Sequence, residues 1–202
     1  MGDVPSPLWL RTADVDYMRR DGRDEDPGHA WTAERLGALY PGTSCTLLDC
    51  GVMSGVTYAG LRDAGLPVDY TGIDVSPRIL DACRAEHPGA RWLEMSVTDL
   101  AFGEGSFDVV NSRHLLECLP YYETAVREMF RVARTHVIIG FFQVPRAPEA
   151  LLRRETDEGY IWLNRYDPGP FEELLHRFSR EVETADLRHG HRRSRVYLCT
   201  KR

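Results

Sequence analysis

The chain is predicted to be an α/β protein, a doubly wound and mostly parallel sheet of seven strands with an antiparallel carboxyl-terminal hairpin. Three observations predict it. Short apolar runs such as Leu47-Leu48, Val109-Val110 and Val137-Ile138-Ile139 suit strands buried on both faces, and they alternate with segments of helical spacing. The first of these strands ends in an acid and runs into a glycine turn, Asp49-Cys50-Gly51-Val52-Met53-Ser54-Gly55. The last two strands are separated only by a polar turn, as in an antiparallel pair.

Residues 1–27 are rich in proline and charge, and read as an irregular leader with a short helix near Asp14 to Arg19. Trp9, Tyr17 and Met18 need cover there, either on the domain surface or over a ligand. The domain proper is predicted to span 28–202. His29 to Tyr40 has helical spacing through Trp31, Leu36 and Leu39, and Pro41-Gly42 stops it. Thr46 to Cys50 is the first strand. The helix after the glycine turn runs through Tyr58, Leu61 and Ala64 to Gly65 and Pro67. Val68 to Asp74 is the second strand. Ser76 is a good N-cap and Pro77 fits a first helical turn, so a helix is expected from Pro77 to Glu86.

Strands three and four are placed at about Arg91 to Met95 and Ser106 to Asn111. Pro120 to Arg134 reads as an amphipathic helix, with Ala125, Val126, Met129, Phe130 and Val132 near one face. His136 to Phe142 is the most apolar strand and belongs near the sheet centre. Gln143 to Tyr166 gives no clear periodicity. Asp167 caps a helix that carries Pro168 in its first turn and ends near Phe178. Strands at about Glu181 to Leu187 and Arg195 to Thr200 close the fold.

At 202 residues the chain suits one domain with a proper core. No apolar run approaches the length of a membrane span, and Met1 to Pro7 lacks the pattern of a secretory signal, so a cytoplasmic location is expected. The five cysteines are scattered and show no zinc-site spacing, and no carboxylate-histidine ligand set for a metal appears. A formal net charge of −6 argues against a large nucleic-acid footprint, which needs a basic surface. Arginines nevertheless crowd the carboxyl end, from Arg177 and Arg180 to Arg188, Arg192, Arg193 and Arg195.

The chemistry is written at the ends of the first two strands. Ligands of open α/β sheets bind at the carboxyl ends of strands, and Asp74 ends the second strand where a carboxylate can accept both hydroxyl protons of a ribose. A nucleoside-bearing cofactor follows. It is not a dinucleotide, because that fingerprint wants glycines at 51, 53 and 56 and finds Met53 and Val56. Nor is it a nucleoside triphosphate, since no Gly-Lys-Ser or Gly-Lys-Thr occurs. Asp49, two residues before the first glycine, repels phosphate and favours an ammonium group.

The stretch Leu48-Asp49-Cys50-Gly51-Val52-Met53-Ser54-Gly55 resembles the first motif of the class I S-adenosylmethionine-dependent methyltransferases, with Met53 in place of the family's middle glycine. Gly72-Ile73-Asp74-Val75-Ser76 resembles the ribose-binding motif of that family. Ser106-Phe107-Asp108-Val109-Val110 resembles its fourth strand, and Arg127 to Val132 the helix before its fifth. The resemblance covers roughly residues 30 to 145 and implies the Rossmann-like fold of a small methyltransferase. By it, S-adenosylmethionine is the cofactor and the leader is a lid.

It also implies a set of cofactor-binding residues. Asp49, Gly51 and Val52 would meet the methionine half, Asp74 and Val75 the ribose, and Ser96 and Val97 the adenine. Ser96 stands where the family has an acid, and Asp99 is an alternative adenine partner. Asn111, Ser112, Arg113 and His114 end strand four, where sulfonium and acceptor should meet. His114 is the candidate catalytic base and Glu117 a second one. Tyr160, Trp162, Asn164, Arg165 and Tyr166 would lie over the acceptor. A small-molecule acceptor is expected, methylated on an oxygen of a sugar or specialised metabolite. Two alternatives stay open: an RNA or phosphorylated intermediate gripped by the carboxyl-terminal arginines, and a non-catalytic S-adenosylmethionine-binding protein.

Overall fold

The computed structural model describes residues 27–156, 159–190 and 192–202. The predicted leader helix and its aromatic residues lie outside them. Helix α1 (Pro27–Leu39) precedes β1 (Cys45–Cys50), α2 (Val56–Asp63), β2 (Val68–Asp74), α3 (Pro77–Glu86) and β3 (Arg91–Glu94). After β4 (Phe107–Arg113) come a 3-10 turn (Leu116–Cys118), α4 (Glu123–Val132) and β5 (Ala133–Phe141). The chain ends with β6 (Arg153–Thr156), β7 (Gly159–Trp162), α5 (Pro168–Phe178), β8 (Ser179–His189) and β9 (Arg192–Lys201).

The main sheet has the order β3-β2-β1-β4-β5-β9-β8. Its first five strands are parallel, and β9 pairs antiparallel with both β5 and β8. The predicted sheet is therefore the observed one. Strand alternation sends neighbours to opposite faces. Leu48, Val110, Val137 and Ile139 join α4 and α5 in one core, and Leu47, Val109 and Ile138 join α1, α2 and α3 in the other. The order of strands reverses between β1 and β4, which opens a crevice at their carboxyl ends.

Local chemistry sets the element ends. The Ser76 side chain accepts from the Ile79 N–H, Pro77 opens α3, and Asp167 caps α5 by accepting from the Gly169 N–H. Helix α4 runs into β5 without an intervening residue, so Arg134 and Thr135 lie inside a strand that starts earlier than the predicted His136. Asp108, half-buried in the motif Ser106-Phe107-Asp108, ties three segments. It accepts from the backbone and hydroxyl of Thr46 at 2.9 and 2.8 Å and from Arg134 at 2.5 Å.

Gly72 is required by close packing. A Cβ there would come within 2.5 Å of the Trp92 ring and 2.7 Å of a Val52 methyl. Trp92 is buried, with its indole N–H donating to the His87 carbonyl, and cannot easily move aside. Gly72→Ala is expected to cost ~2 kcal/mol of stability by overpacking, measured as a lower urea midpoint with unchanged slope.

The segment from 143 to 166, unread in the sequence, contains the two-stranded antiparallel sheet β6-β7. Its pairing continues past the strands through Leu163 N–H to the Leu152 carbonyl and a bridge between Ala150 and Arg165. Buried Asn164 fastens it to the domain. The amide of Asn164 donates to the Leu119 carbonyl, its Oδ1 accepts from the Leu152 N–H, and its backbone N–H reaches the Glu117 carbonyl.

Candidate active site

A cavity of about 1090 Å³ opens at the carboxyl ends of β1, β2 and β4 and extends beneath the β6-β7 hairpin. Of the sequence-predicted residues, Asp49, Gly51, Val52, Asp74, Val75, Ser96, Val97 and His114 all line it. Asn111 does not. It is wholly buried one layer behind, where its side-chain amide donates to Asp49 Oδ1 at 2.6 Å. Asp99 is also outside the lining, whereas Ser96 holds the start of its own turn, with Oγ accepting from the Thr98 N–H at 3.2 Å.

Asp49 is buried and already engaged. Asn111 holds one oxygen, and the Tyr70 hydroxyl donates to the other at 2.5 Å. Burial raises its pKa, and the bonds from Tyr70, Asn111 and Thr57, with the Arg113 charge, oppose the rise. A carboxylate has about four acceptor sites, so these partners fix its orientation and leave room for a ligand ammonium. Tyr70 is itself wedged against Tyr58 and Trp92, with ring centroids 5.1 and 5.4 Å away. Its part in the site has no signature in the sequence, because it arises from the register of β1 against β2.

Asp74 ends β2 and accepts from the Ser76 N–H at 3.0 Å, with further backbone donors at Met53 and Val75. Burial pushes its carboxyl up to about 6 against these donors. Three positions around the turn have positive φ: Gly51 at 76°, Met53 at 50° and Gly55 at 72°. The turn therefore keeps a left-handed residue where the middle glycine is missing. Met53 bears a strain that glycine would avoid, and its side chain joins the cavity wall.

Among the described residues His114 is the other non-glycine residue with positive φ, at 54°. Its N–H donates to the Gly140 carbonyl at 2.8 Å and its ring stacks on Phe142, with centroids 4.1 Å apart. Both non-glycine residues in this strained region thus lie on the cavity. Glu117 is beside it. One carboxyl oxygen accepts from the Phe142 N–H, and the other has no hydrogen-bond partner among the described residues. Burial pushes its carboxyl up to about 8.

The aromatic cluster read over the acceptor divides. Asn164, Arg165 and Tyr166 line the cavity, but Tyr160 and Trp162 do not. Alternation along β7 turns the latter two to the outer side, where Tyr160 meets Trp162 edge-to-face and receives the Arg153 guanidinium. Of the carboxyl-terminal arginines, Arg193 and Arg195 are held by Asp186 at 2.9 and 2.7 Å. All five cysteines are free and buried. Among the described residues no helix is long and apolar enough to cross a membrane.

The donor set fits S-adenosylmethionine. A carboxylate held by backbone donors at the end of β2 suits ribose hydroxyls, and a buried anion at the end of β1 suits an α-ammonium. Gly51 lets the main chain pass close to a ligand, since a Cβ there would press on Leu115 at 3.0 Å. The cavity exceeds the ~300–1,000 Å³ usual for one ligand, which leaves space for an acceptor.

Comparison with known proteins agrees. Residues 48–140 match the family described as methyltransferase domain. The phthiotriol/phenolphthiotriol dimycocerosates methyltransferase of Mycobacterium leprae is 33% identical over 89 residues, 43% of this chain and 32% of that protein. An uncharacterized methyltransferase of Mycobacterium sp. (strain KMS) is 35% identical over 89 residues, 44% of this chain and 34% of its own. The aligned stretch thus spans about a third of the length of these curated relatives.

Among solved structures, magnesium protoporphyrin IX methyltransferase from Synechocystis PCC 6803 with bound S-adenosylmethionine superposes with a TM-score of 0.67 at 14% identity, covering 95% of this chain and 86% of that one. The 1,6-didemethyltoxoflavin-N1-methyltransferase of Burkholderia thailandensis, with its substrate and S-adenosylhomocysteine, gives 0.66 at 18% identity over 94% and 86%. Residues 48–140 are thus similar to a methyltransferase domain, and the chain has the Rossmann-like fold seen in S-adenosylmethionine-dependent methyltransferases.

Proposed function

We propose that the protein transfers a methyl group from S-adenosylmethionine to an oxygen of a small molecule, a sugar or specialised metabolite, in the cytoplasm. The single observation that carries the reading is the continuous cavity. It is lined by Asp49 and Asp74, by His114 and Glu117, and by residues of the hairpin. The Mycobacterium leprae relative is named for phthiotriol, a triol, which favours an oxygen acceptor.

When bound, S-adenosylmethionine supplies an electrophilic methyl carbon on a sulfonium. The chain's task is to hold an acceptor oxygen in line with it and to exclude water. Asp49 fixes the methionine end of the cofactor and Asp74 its ribose. His114 takes the proton from the acceptor hydroxyl onto its imidazole, with its ring plane set by Phe142 and its backbone by Gly140. Glu117 stays protonated below about pH 8 and offers its unpartnered oxygen as a hydrogen-bond donor to the acceptor.

His114→Ala is expected to lower turnover by ~10²–10⁴-fold while leaving S-adenosylhomocysteine affinity near wild type. His114→Asn, which tolerates the left-handed backbone, separates loss of the base from backbone strain. Equal turnover in both variants and wild type removes His114 as base. The reaction itself is tested by methyl-labelled S-adenosylmethionine with a pooled extract of small metabolites. Label should enter at least one small molecule, and no transfer from folded, cofactor-binding protein would count against catalysis.

A further inference from the structure

The inner face of the β6-β7 hairpin differs in character from the cofactor end of the cavity. On β6 and its approach, Leu152 and Arg154 line the cavity, and on β7 and its continuation Ile161, Leu163 and Arg165 do, joined past the strand by Asn164 and Tyr166. Leu152 and Arg154, and Ile161 and Leu163, are spaced by two, so one face of the hairpin is laid over the cavity. That face carries leucine and isoleucine beside arginine. Arg146, whose backbone N–H donates to the Tyr166 carbonyl, adds a third guanidinium to the same wall.

The charge is local. The protein has a formal net charge of −6, and the cavity's acids, Asp49, Asp74 and Glu117, are supplied by β1, β2 and the turn after β4. The hairpin is fastened through Asn164 to the turn after β4, and β4 lies two strands from β2, ~10 Å across the sheet. Among the described residues neither Arg146 nor Arg154 enters an ion pair. Arg165 is positioned by two bonds to the Pro148 carbonyl, both 3.2 Å, and an arginine fork suits planar oxyanions. Leu152, half exposed at 49%, offers an apolar surface beside them.

We propose that the acceptor is an amphiphilic acid, with a carboxylate or phosphate gripped by Arg146 and Arg154 and an apolar body lying on Leu152, Ile161 and Leu163. This deepens the methyl-transfer reading and rests on it only in calling the ligand an acceptor. The oxyanion end anchors the molecule at the hairpin and presents the remote hydroxyl to His114.

The test is calorimetry of octanoate, octyl phosphate and octanol on the whole protein, with and without saturating S-adenosylhomocysteine. The expected result is at least tenfold tighter binding of octanoate or octyl phosphate than of octanol, and the tighter anion tells carboxylate from phosphate. In an Arg146→Gln/Arg154→Gln variant that preference should fall below threefold, with S-adenosylhomocysteine affinity unchanged. Both side chains are exposed, so the variant should fold, as circular dichroism would show. Octanol binding as tightly as the anions, or a preference that survives in the variant, overturns the proposal. If S-adenosylhomocysteine binds but the anion preference is missing, the anion site falls and the cofactor reading stands. If the preference holds without S-adenosylhomocysteine binding, the anion site stands and the cofactor reading falls.

Discussion

Asp74→Ala is expected to weaken S-adenosylhomocysteine binding by at least about 100-fold, measured by calorimetry at pH 7.5. Two hydrogen bonds from ribose hydroxyls to a carboxylate are worth ~1.5–3 kcal/mol each, and 1.4 kcal/mol is tenfold in affinity. Asp74→Asn keeps shape and some accepting capacity, and should fall between. The same carboxyl gives the binding a pH signature. Burial holds it at about 6, so it is mostly ionised at pH 7.5 and mostly protonated at pH 5. Affinity should therefore drop by roughly tenfold per unit below pH 6 in wild type and stay flat in Asp74→Asn. Wild-type affinity in Asp74→Ala would remove the ribose assignment and most of the site built on it.

The second large effect is on stability. Glu117 has a folded-state carboxyl at about 8 and an unfolded one near ~4.3. The folded protein thus binds the extra proton between these values. Its contribution to stability is fully present below the unfolded pKa and is lost as pH rises through about 8. At 1.36 kcal/mol per unit the loss is on the order of 5 kcal/mol, and it should appear as a falling urea midpoint. Asp74, raised to about 6, adds a slope of the same sign that is finished above that pH. The part between pH 6.5 and 8.5 belongs to Glu117 and should vanish in Glu117→Gln. A wild-type midpoint that stays level or rises over this range would show that Glu117 is ionised in the fold.

The cofactor half of the site was legible because its signals are local. An acid followed by a glycine turn, a second acid ending the next strand and a capped helix after it are all close in sequence, and Asp49 and Asp74 line the cavity together with Val75, Ser96 and Val97, which the family resemblance implied. Asn111 was read as a ligand because it ends the fourth strand, yet its register opposite Asp49 makes it a support for that residue. Tyr70 was read only as a strand residue. The acceptor half was far less legible. β6 and β7 are four residues each, one charged throughout except for its threonine and the other a glycine with three apolar residues, so neither is long enough to show an alternation. Their inward arginines and outward aromatics follow from a pairing that no local pattern announces.

The sequence by itself determined the order of strands and helices, the helix caps and the turn at which a nucleoside-bearing cofactor would sit, because periodicity and capping depend on residues within a few positions of one another. Only the tertiary structure decided that Glu117 is a buried carboxyl held at about 8, that Asp49 is clamped by Tyr70 and Asn111, and that arginines face the cavity under the hairpin. Those properties depend on desolvation and on partners brought from other strands, and a charge's surroundings exist only once the chain has folded around it.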